Sequence, residues 1–406
     1  MYLCNRLYIN HTHTHMTKKL FLFFLTCAAF ASCIQEEPLN SECDIEACRV
    51  VLEDPMAVFY AEADAECTVI SVDTIINFYT RETLNRDLLK SVAVQLKLTD
   101  GATVSPENGS VQDFSGEGIH YTVTSQDGQW QRRYLVRFLP KESLNPKFDF
   151  EAVELDPIKQ KYYQWFAYDN SGARQDLWAT GNSGFALSRS SAKPMEYPTV
   201  PWDDVVSEAQ TGAVSTKSVK LETCNTGSFG AMVNMRLAAG NLFLGTFDTE
   251  NALKDAMAAT RFGVPVNRFP VRFRGYYKFK PGEKFQDRQG KAVEGKVDAP
   301  DAYAVLYRNT DKNGNRITLQ GDDVLNHANI VAMARVENFL HTGVEPGDPW
   351  KFFDLELDYK EEKNYELLYN YGYNLTVVFS SSVKGAEFEG AIGSVLLVDE
   401  AEIVFE

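Results

Sequence analysis

The chain has 406 residues, 44% hydrophobic and 12% aromatic, with 40 Lys and Arg against 56 Asp and Glu. At roughly 100–200 residues per domain this length predicts two or three domains, and the composition excludes a disordered, collagen-like or coiled-coil chain. A net charge of −16 also excludes a nucleic-acid binder, because phosphate recognition needs a clustered Lys/Arg footprint.

At the start, Met16 opens a second possible beginning: Lys18 and Lys19 supply a basic region, Leu20 to Phe30 an apolar run, and Ala31-Ser32-Cys33 a small-residue end. That is the pattern of a signal peptide, and its apolar run of about 11 residues is shorter than the roughly 20 of a transmembrane helix. Residues 1–15, in which His11, His13 and His15 alternate with threonines, then precede the start; an alternating-His metal tract is the other reading. Ala31-Ser32-Cys33 resembles the lipobox of bacterial lipoproteins, with Phe30 where Leu is usual, and the resemblance implies that Cys33 is lipidated. Ile34-Gln35-Glu36-Glu37 resembles the acidic signal that sends Bacteroidetes lipoproteins to the outer cell surface. The expected location is therefore the outer membrane, lipid-anchored through Cys33 and facing outwards, with residues 33–40 as tether. Removing residues 1–32 takes Arg6, Lys18 and Lys19 and no acid, which moves the charge from −16 to −19.

Cys43, Cys48, Cys67 and Cys224 remain as thiols. An exported chain permits disulfides, and three connectivities are open; the clustering of three cysteines within 43–67 predicts one bridge there, with Cys224 as a buried apolar residue. Cys43 and Cys48 lack the second Cys or His pair that a zinc site needs.

Residues 41–140 read as short strands. Val69, Val72, Ile75, Ile76 and Phe78 mark one apolar stretch, and Val92, Val94, Leu96 and Leu98 alternate on one face. Asp100-Gly101 and Asp127-Gly128 are hairpin-type turns; around the second, Ile119, Tyr121 and Val123 alternate before it and Tyr134, Val136 and Phe138 after it. Such strands build a β-sandwich. The segments 98–106, Asp113-Phe114 and 121–128 resemble the immunoglobulin-like modules at the front of many Bacteroidetes surface lipoproteins, which implies a spacer. A module that binds glycan itself is the other reading, with Trp130 its one tryptophan.

The polar, proline-marked run 139–146 predicts a linker, and 147–406 a second unit, a large β-sandwich. Val271 to Phe279, Ala302 to Tyr307, Ile330 to Val336, Leu375 to Phe379 and Val395 to Phe405 read as its strands. Thr249 to Arg261 reads as a helix, with Leu253 and Met257 four apart and Gly263 and Pro265 after its end. The whole chain is thus expected to be all-β with a minor helix.

Several segments in order then point to a family: Phe148-Asp149-Phe150-Glu151, Trp178 to Phe185, Tyr197-Pro198-Thr199, Ala239 to Gly245, Gly263-Val264-Pro265, Gly275 to Phe279 with Pro281-Gly282, Ser380 to Ser382, Phe388 to Ser394 and Val398-Asp399. They resemble the putative carbohydrate metabolism domain (PCMD) of Bacteroidetes lipoproteins, across nearly all of 147–406. The resemblance implies a jelly-roll-like β-sandwich similar to carbohydrate-binding modules, found among surface systems that capture and digest complex glycans.

Sugar recognition sets flat aromatic faces against the C–H faces of the pyranose ring and adds a few polar groups for hydroxyls. The candidate platforms are Trp165, Trp178, Trp202 and Trp350, the amphipathic walls Tyr162, Tyr163, Tyr276 and Tyr277, and the polar partners Asn182, Asp176 and Arg261. Trp178 and Asn182 form the preferred pair, because a glycine-containing turn joins them and binding residues concentrate on loops. Tyr276 and Tyr277 face opposite sides of a strand, so at most one reaches a binding face. Glu151 and Asp399 occupy places where similar jelly rolls hold a structural calcium, so the resemblance implies these two as candidate metal ligands. Asp311-Lys312-Asn313-Gly314-Asn315 reads as a hairpin turn, since it lacks the downstream Glu of a calcium loop.

A glycoside hydrolase needs two carboxyls across a cleft, and with 56 acids the chain offers pairs everywhere, Glu337, Glu345, Asp348, Glu356 and Asp358 being one cluster. Ser or Cys nucleophile chemistry is poorer: the candidate bases are His120, His327 and His341, and no Gly-x-Ser-x-Gly elbow is present. The leading expectation is a surface-anchored lipoprotein that binds a polysaccharide or oligosaccharide and does no chemistry. A glycoside hydrolase on the same sandwich and a structural or adhesion protein of fimbrial type are the alternatives.

Overall fold

A computed structural model describes residues 39–406 apart from 61, 70–73, 82–83, 142–143, 169–173, 213, 250–251 and 253–254. The expected leader, the Cys33 lipidation site, Val72 and Leu253 lie outside the described residues. Two compact units emerge, one formed by the chain through Ala57 with Glu62–Tyr79 and Asn85–Leu139, the other by Val58–Ala61, Thr80–Leu84 and Pro140–Glu406.

In the first unit, apolar alternation builds two four-stranded sheets, antiparallel except that Ile75–Thr80 runs alongside Gln131–Pro140 in the same direction, with Leu135 N–H on the Thr74 carbonyl and Lys141 N–H on that of Thr80. One runs Glu66–Thr68, Ile45–Val51, Val92–Leu98, Val111–Gln112; the other runs Ile75–Thr80, Gln131–Pro140, Ile119–Thr124, Thr103–Ser105. Val92, Val94 and Leu96 turn inwards to meet Tyr121, Val123, Tyr134, Val136 and Phe138, all buried. Phe138 stacks on Phe78 at 5.3 Å and takes the edge of Phe114 at 5.1 Å. Each such side chain stabilises the sandwich by about 1.5–3 kcal/mol on transfer from water. The Asp127-Gly128 turn closes a hairpin as expected: the Asp127 carboxylate accepts the Ser125 hydroxyl at 2.5 Å and the Gln129 N–H at 2.9 Å, and Gly128 takes φ +70°. The Asp100-Gly101 turn is not a hairpin. It passes the chain to the other sheet, where Thr103–Ser105 pairs with Ile119–Thr124, because Val92–Leu98 already has a partner on each side.

The second unit is a larger sandwich. Its broad sheet runs Leu319–Gln320, Thr260–Phe262, Asn241–Phe247, Tyr373–Ser380, Asp301–Arg308, Ile330–Arg335, Asp358–Tyr359, with Trp178–Ala179 and Val264–Val266 pairing at the side. The facing sheet runs Thr199–Trp202, Ser218–Glu222, Val395–Phe405, Pro270–Lys280, Lys351–Glu356, with Lys147–Phe148 also on Val395–Phe405. Between them Leu242, Leu244, Ala304, Leu306, Leu375, Val377 and Phe379 pack on Val219, Leu221, Phe273, Phe279, Leu396, Val398 and Ile403.

The broad sheet is covered on its other face as well. Phe243, Phe262, Tyr303, Val305, Tyr307 and Val378 form a second apolar cluster there with Leu319, Val324 and Ile330. This is why Asp301–Arg308 reads as a nearly continuous apolar run: seven of its eight residues are buried, and two buried faces erase the alternation of a half-exposed strand, whereas Tyr373–Ser380, equally buried, keeps Asn374, Thr376 and Ser380 on its outer face.

The fold is all-β with short helices. Of the helix expected over Thr249 to Arg261, the described residues form a single turn, Ala256–Ala259. Asp255 accepts the N–H groups of Met257 and Ala258 at 3.1 and 3.2 Å, so the turn starts only there. It stops because Thr260–Phe262 is held between Asn241–Phe247 and Leu319–Gln320 as a strand. Gly245, at φ +146°, makes that pairing possible, since an added Cβ would stand 2.1 Å from the Arg261 carbonyl oxygen.

Candidate functional site

The covered face of the broad sheet leaves a cleft of about 330 Å³, within the roughly 300–1,000 Å³ of small-ligand sites. Strand alternation decides its floor: Phe243, Phe262, Tyr303 and Val378 point into it, while the neighbours of Phe243, Tyr303 and Val378 point into the main core. One wall is built by the helices Asn182–Ser188 and Gly227–Met232, which contribute Phe185 and Phe229, and the other by Met257, Thr260, Val324 and Leu325. Phe247 and the loop from Ser380 to Phe388 close the rim. The rings of Phe229, Phe247 and Phe388 keep part of their surface in solvent.

A crossing of three chain segments fixes one end of the cleft. The Asn182 side chain donates to the Thr199 carbonyl at 2.8 Å and accepts its N–H at 3.1 Å. Asn241 accepts the Gly181 N–H at 2.8 Å, while its own N–H reaches the Thr199 hydroxyl at 3.1 Å. Next to it, buried Asp298 accepts the Ser382 and Ser394 hydroxyls at 2.6 and 2.7 Å and the Ala391 N–H at 2.7 Å, all on Oδ2. Thr223 links Ser381 and Ser382 through 2.8 and 2.6 Å hydroxyl bonds. The Ser380 to Ser382 and Phe388 to Ser394 segments of the sequence signature are therefore two halves of one hydrogen-bonded frame.

Three carboxylates line the cleft, and among the described residues only Asp301 of the three is buried. Arg335 holds both its oxygens, at 2.9 and 2.7 Å. Burial nevertheless lifts the Asp301 carboxyl above its ordinary value, and it pushes the neighbouring Tyr303 phenol up as well. At the rim Glu387 pairs with Lys384 at 3.0 Å.

The expected aromatic platforms are elsewhere. Trp178 is buried on the opposite face of the broad sheet, edge-on to Phe148 at 5.0 Å and tilted on Phe150 at 5.6 Å. Trp165 is also in the main core, so neither ring has a free face for a sugar. Tyr277 points inwards too, its hydroxyl accepting the Leu340 N–H at 3.0 Å. Tyr276 turns outwards beside Phe352 at 5.0 Å, as the alternation required. Trp350 lies under the Lys278 ammonium at 5.1 Å, and Trp202 under that of Lys220 at 4.7 Å. Arg261 points away from the cleft that its neighbours Thr260 and Phe262 line, and pairs with Asp248 at 2.6 Å; Asp176 pairs with Arg174 at 2.8 Å. Of the expected ligand-binding residues, Asn182 alone lines the cleft, where its amide is spent on Thr199.

Glu151 and Asp399 do meet, bridged by the Ser215 hydroxyl at 3.0 and 3.5 Å. Glu151 Oε1 also accepts the N–H groups of Thr216 and Lys217 at 2.6 and 3.0 Å, and Oε2 the Thr216 hydroxyl at 2.5 Å. The two Asp399 oxygens accept the Val206 and Glu400 N–H groups at 2.8 and 2.9 Å. Such a ring of donors suits hydrogen-bonded carboxylates and does not fit calcium, which takes six to eight oxygen ligands.

Burial, with smaller contributions from Glu400 and Glu151, pushes the Asp399 carboxyl up to about 7. Below about pH 4 it is protonated in folded and unfolded chains alike. Between pH 4 and 7 only the unfolded chain ionises, so this group progressively destabilises the fold, by about 4 kcal/mol in full above pH 7. Replacement by Asn carries a cost independent of pH, so the melting temperature of Asp399→Asn relative to wild type should rise between pH 5 and 8. A flat difference would contradict the buried acid, and calcium should leave both melts unmoved.

Among the cleft residues that the sequence did not mark for ligand binding are Phe229, Phe247, Phe388, Tyr303 and Asp301. The available signal was the stretch Ala302 to Tyr307, whose apolar side chains on both faces announce a covered outer face.

Comparison with known proteins places these features in a family context. A model described as "Putative carbohydrate metabolism domain" matches residues 149–404, and one described as "SGBP, N-terminal" matches residues 58–137. The crystal structure of a putative glycoside hydrolase from Bacteroides thetaiotaomicron VPI-5482 is similar at 33% identity and a TM-score of 0.71, over 92% of this chain and 99% of that one. A second putative glycoside hydrolase, from Bacteroides vulgatus ATCC 8482, is 33% identical with a TM-score of 0.57, over 66% of this chain and 100% of that one. No curated protein matches the chain.

Proposed function

The chain belongs to the putative carbohydrate metabolism domain family, and from that premise we propose that its larger unit binds a complex glycan in the cleft on the covered face of the broad sheet. The observation that carries this reading is the lining: partly exposed Phe229, Phe247 and Phe388 around an aromatic floor, with Lys384 and Glu387 at the rim. Rings of this kind bury the C–H faces of a pyranose, and a few polar groups then orient its hydroxyls. A lipid on Cys33 would hold the protein at the outer membrane, with the smaller sandwich as a spacer. The charge of −16 disfavours polyanionic ligands at long range and so favours neutral or weakly charged glycans.

Titration calorimetry or affinity electrophoresis over plant, mucin and fungal glycans tests the proposal. At least one glycan should bind, and Phe229→Ala and Phe388→Ala should each weaken it about tenfold, or roughly 1.4 kcal/mol. Silence across the panel would remove the proposal. The second reading is hydrolysis, favoured by Asp301, a buried carboxyl in the cleft with a raised proton affinity. Reducing-sugar release from the same panel, abolished in Asp301→Asn, would select it.

A further inference from the structure

We propose that Cys48 and Cys67 form a disulfide when the chain meets a thiol–disulfide oxidant, stapling the edge of one sheet of the smaller unit. In the antiparallel ladder between Ile45–Val51 and Glu66–Thr68, Cys48 stands directly opposite Cys67, flanked by the pairs Ala47 with Thr68 and Arg49 with Glu66. Directly opposed residues in such a ladder have Cα atoms about 4.5–5.5 Å apart, inside the roughly 4.4–6.8 Å span of disulfides. The side chains share a face, and the two thiols are hydrogen-bonded to each other. No other cysteine occupies a position in this ladder.

The surroundings give the bridge a purpose. Glu66–Thr68 is a three-residue strand at the end of its sheet, paired there with Ile45–Val51. So short an edge is held by little ladder energy, and an edge that frays exposes its neighbour's N–H and C=O groups to other chains. A covalent link at its middle residue holds it in register.

The chemistry balances by exchange. The Cys67 thiolate, half-buried on the edge strand, attacks the disulfide of a small disulfide or an oxidoreductase, releasing one thiol of the oxidant and leaving a mixed disulfide. The Cys48 sulfur then displaces the second thiol; two S–H bonds become one S–S bond, and the oxidant's disulfide takes up both electrons and both protons. The hydrogen bond that the Cys48 thiol donates to Cys67, together with burial, keeps Cys48 protonated well above its ordinary range, so the second step should quicken as pH rises.

Cleavage after glutamate tests the assignment, because it separates all three candidates: Cys43 falls before Glu46, Cys48 in 47–53 and Cys67 in 67–82. Full-length protein equilibrated with oxidised glutathione, then denatured, alkylated and digested, should yield peptides 47–53 and 67–82 joined and lighter by two hydrogens than their sum. The joined species should vanish after dithiothreitol, persist in Cys43→Ser and be absent from Cys67→Ser. Separate alkylation of Cys48 and Cys67, or a bridge from Cys43 to either, would overturn the proposal.

Discussion

Asp298→Ala should lower the melting temperature of the larger unit by roughly 10–15 °C, the largest drop expected from a side chain outside the apolar core. The carboxylate Oδ2 gathers the Ser382 hydroxyl, the Ser394 hydroxyl and the Ala391 N–H, and Oδ1 takes the Ala299 N–H at 3.0 Å. Asp298 is 2% exposed, and Ser382 and Ser394 are as deeply buried. Truncation therefore strands several donors away from water, each at about 1–3 kcal/mol, for a total near 4 kcal/mol once partial relaxation is allowed. At about 2–4 °C per kcal/mol for a unit of this size the stated shift follows. Asp298→Asn keeps one acceptor oxygen and should fall between the two. A melt of Asp298→Ala within a degree or two of wild type would show that the frame around Ser380 to Ser382 does not hold the unit together.

Gly240→Ala should cost a comparable amount for a different reason. A Cβ there would stand 2.3 Å from the Pro198 carbonyl oxygen, 2.5 Å from the Glu222 nitrogen and 2.8 Å from the Leu221 Cα. Those groups are themselves bonded, Glu222 N–H to Pro198 C=O at 2.7 Å, and Gly240 donates to the Glu222 carbonyl at 3.0 Å. Every obstacle is backbone, so no rotamer change relieves the clash, and about 3 kcal/mol or failure to fold is expected. Gly314→Ala supplies the comparison. It meets nothing within 4 Å, and only its φ of +82° is unfavourable, so its cost should stay near 1 kcal/mol. Equal melts for the two variants would contradict the close approach at Gly240.

The strands were legible wherever one face is buried and the other wet, as in Val92–Leu98 and the hairpin around Asp127-Gly128. Pro270–Lys280, Asp301–Arg308 and Val395–Phe405 also fall where apolar runs placed them. Functional side chains were harder to find because the same chemistry serves core and site. Trp178 carries much apolar surface, and between Phe148 and Phe150 burying it stabilises the sandwich; nothing in its local sequence distinguishes that use from a sugar platform. The cleft draws on segments from Gly181 to Phe388, and no spacing rule links Phe229 in a helical turn of Gly227–Met232 to Phe388 in a loop. The helix expected up to Arg261 stops at Ala259 because ladder partners on both sides of Thr260–Phe262 outweigh the helical spacing of the apolar residues before it.

The most direct test of glycan binding in the cleft compares two faces of one molecule. Phe229 and Phe388 line the cleft, whereas Phe352, 53% exposed beside Tyr276, lies on the outward face of the facing sheet. The dissociation constant of the best-bound glycan should be measured by calorimetry for wild type, the Phe229→Ala/Phe388→Ala double variant and Phe352→Ala. The cleft variant should lose affinity by about a hundredfold, at tenfold per 1.4 kcal/mol, and Phe352→Ala should match wild type. Undiminished binding by the double variant, or loss in Phe352→Ala alone, would contradict a glycan site in the cleft.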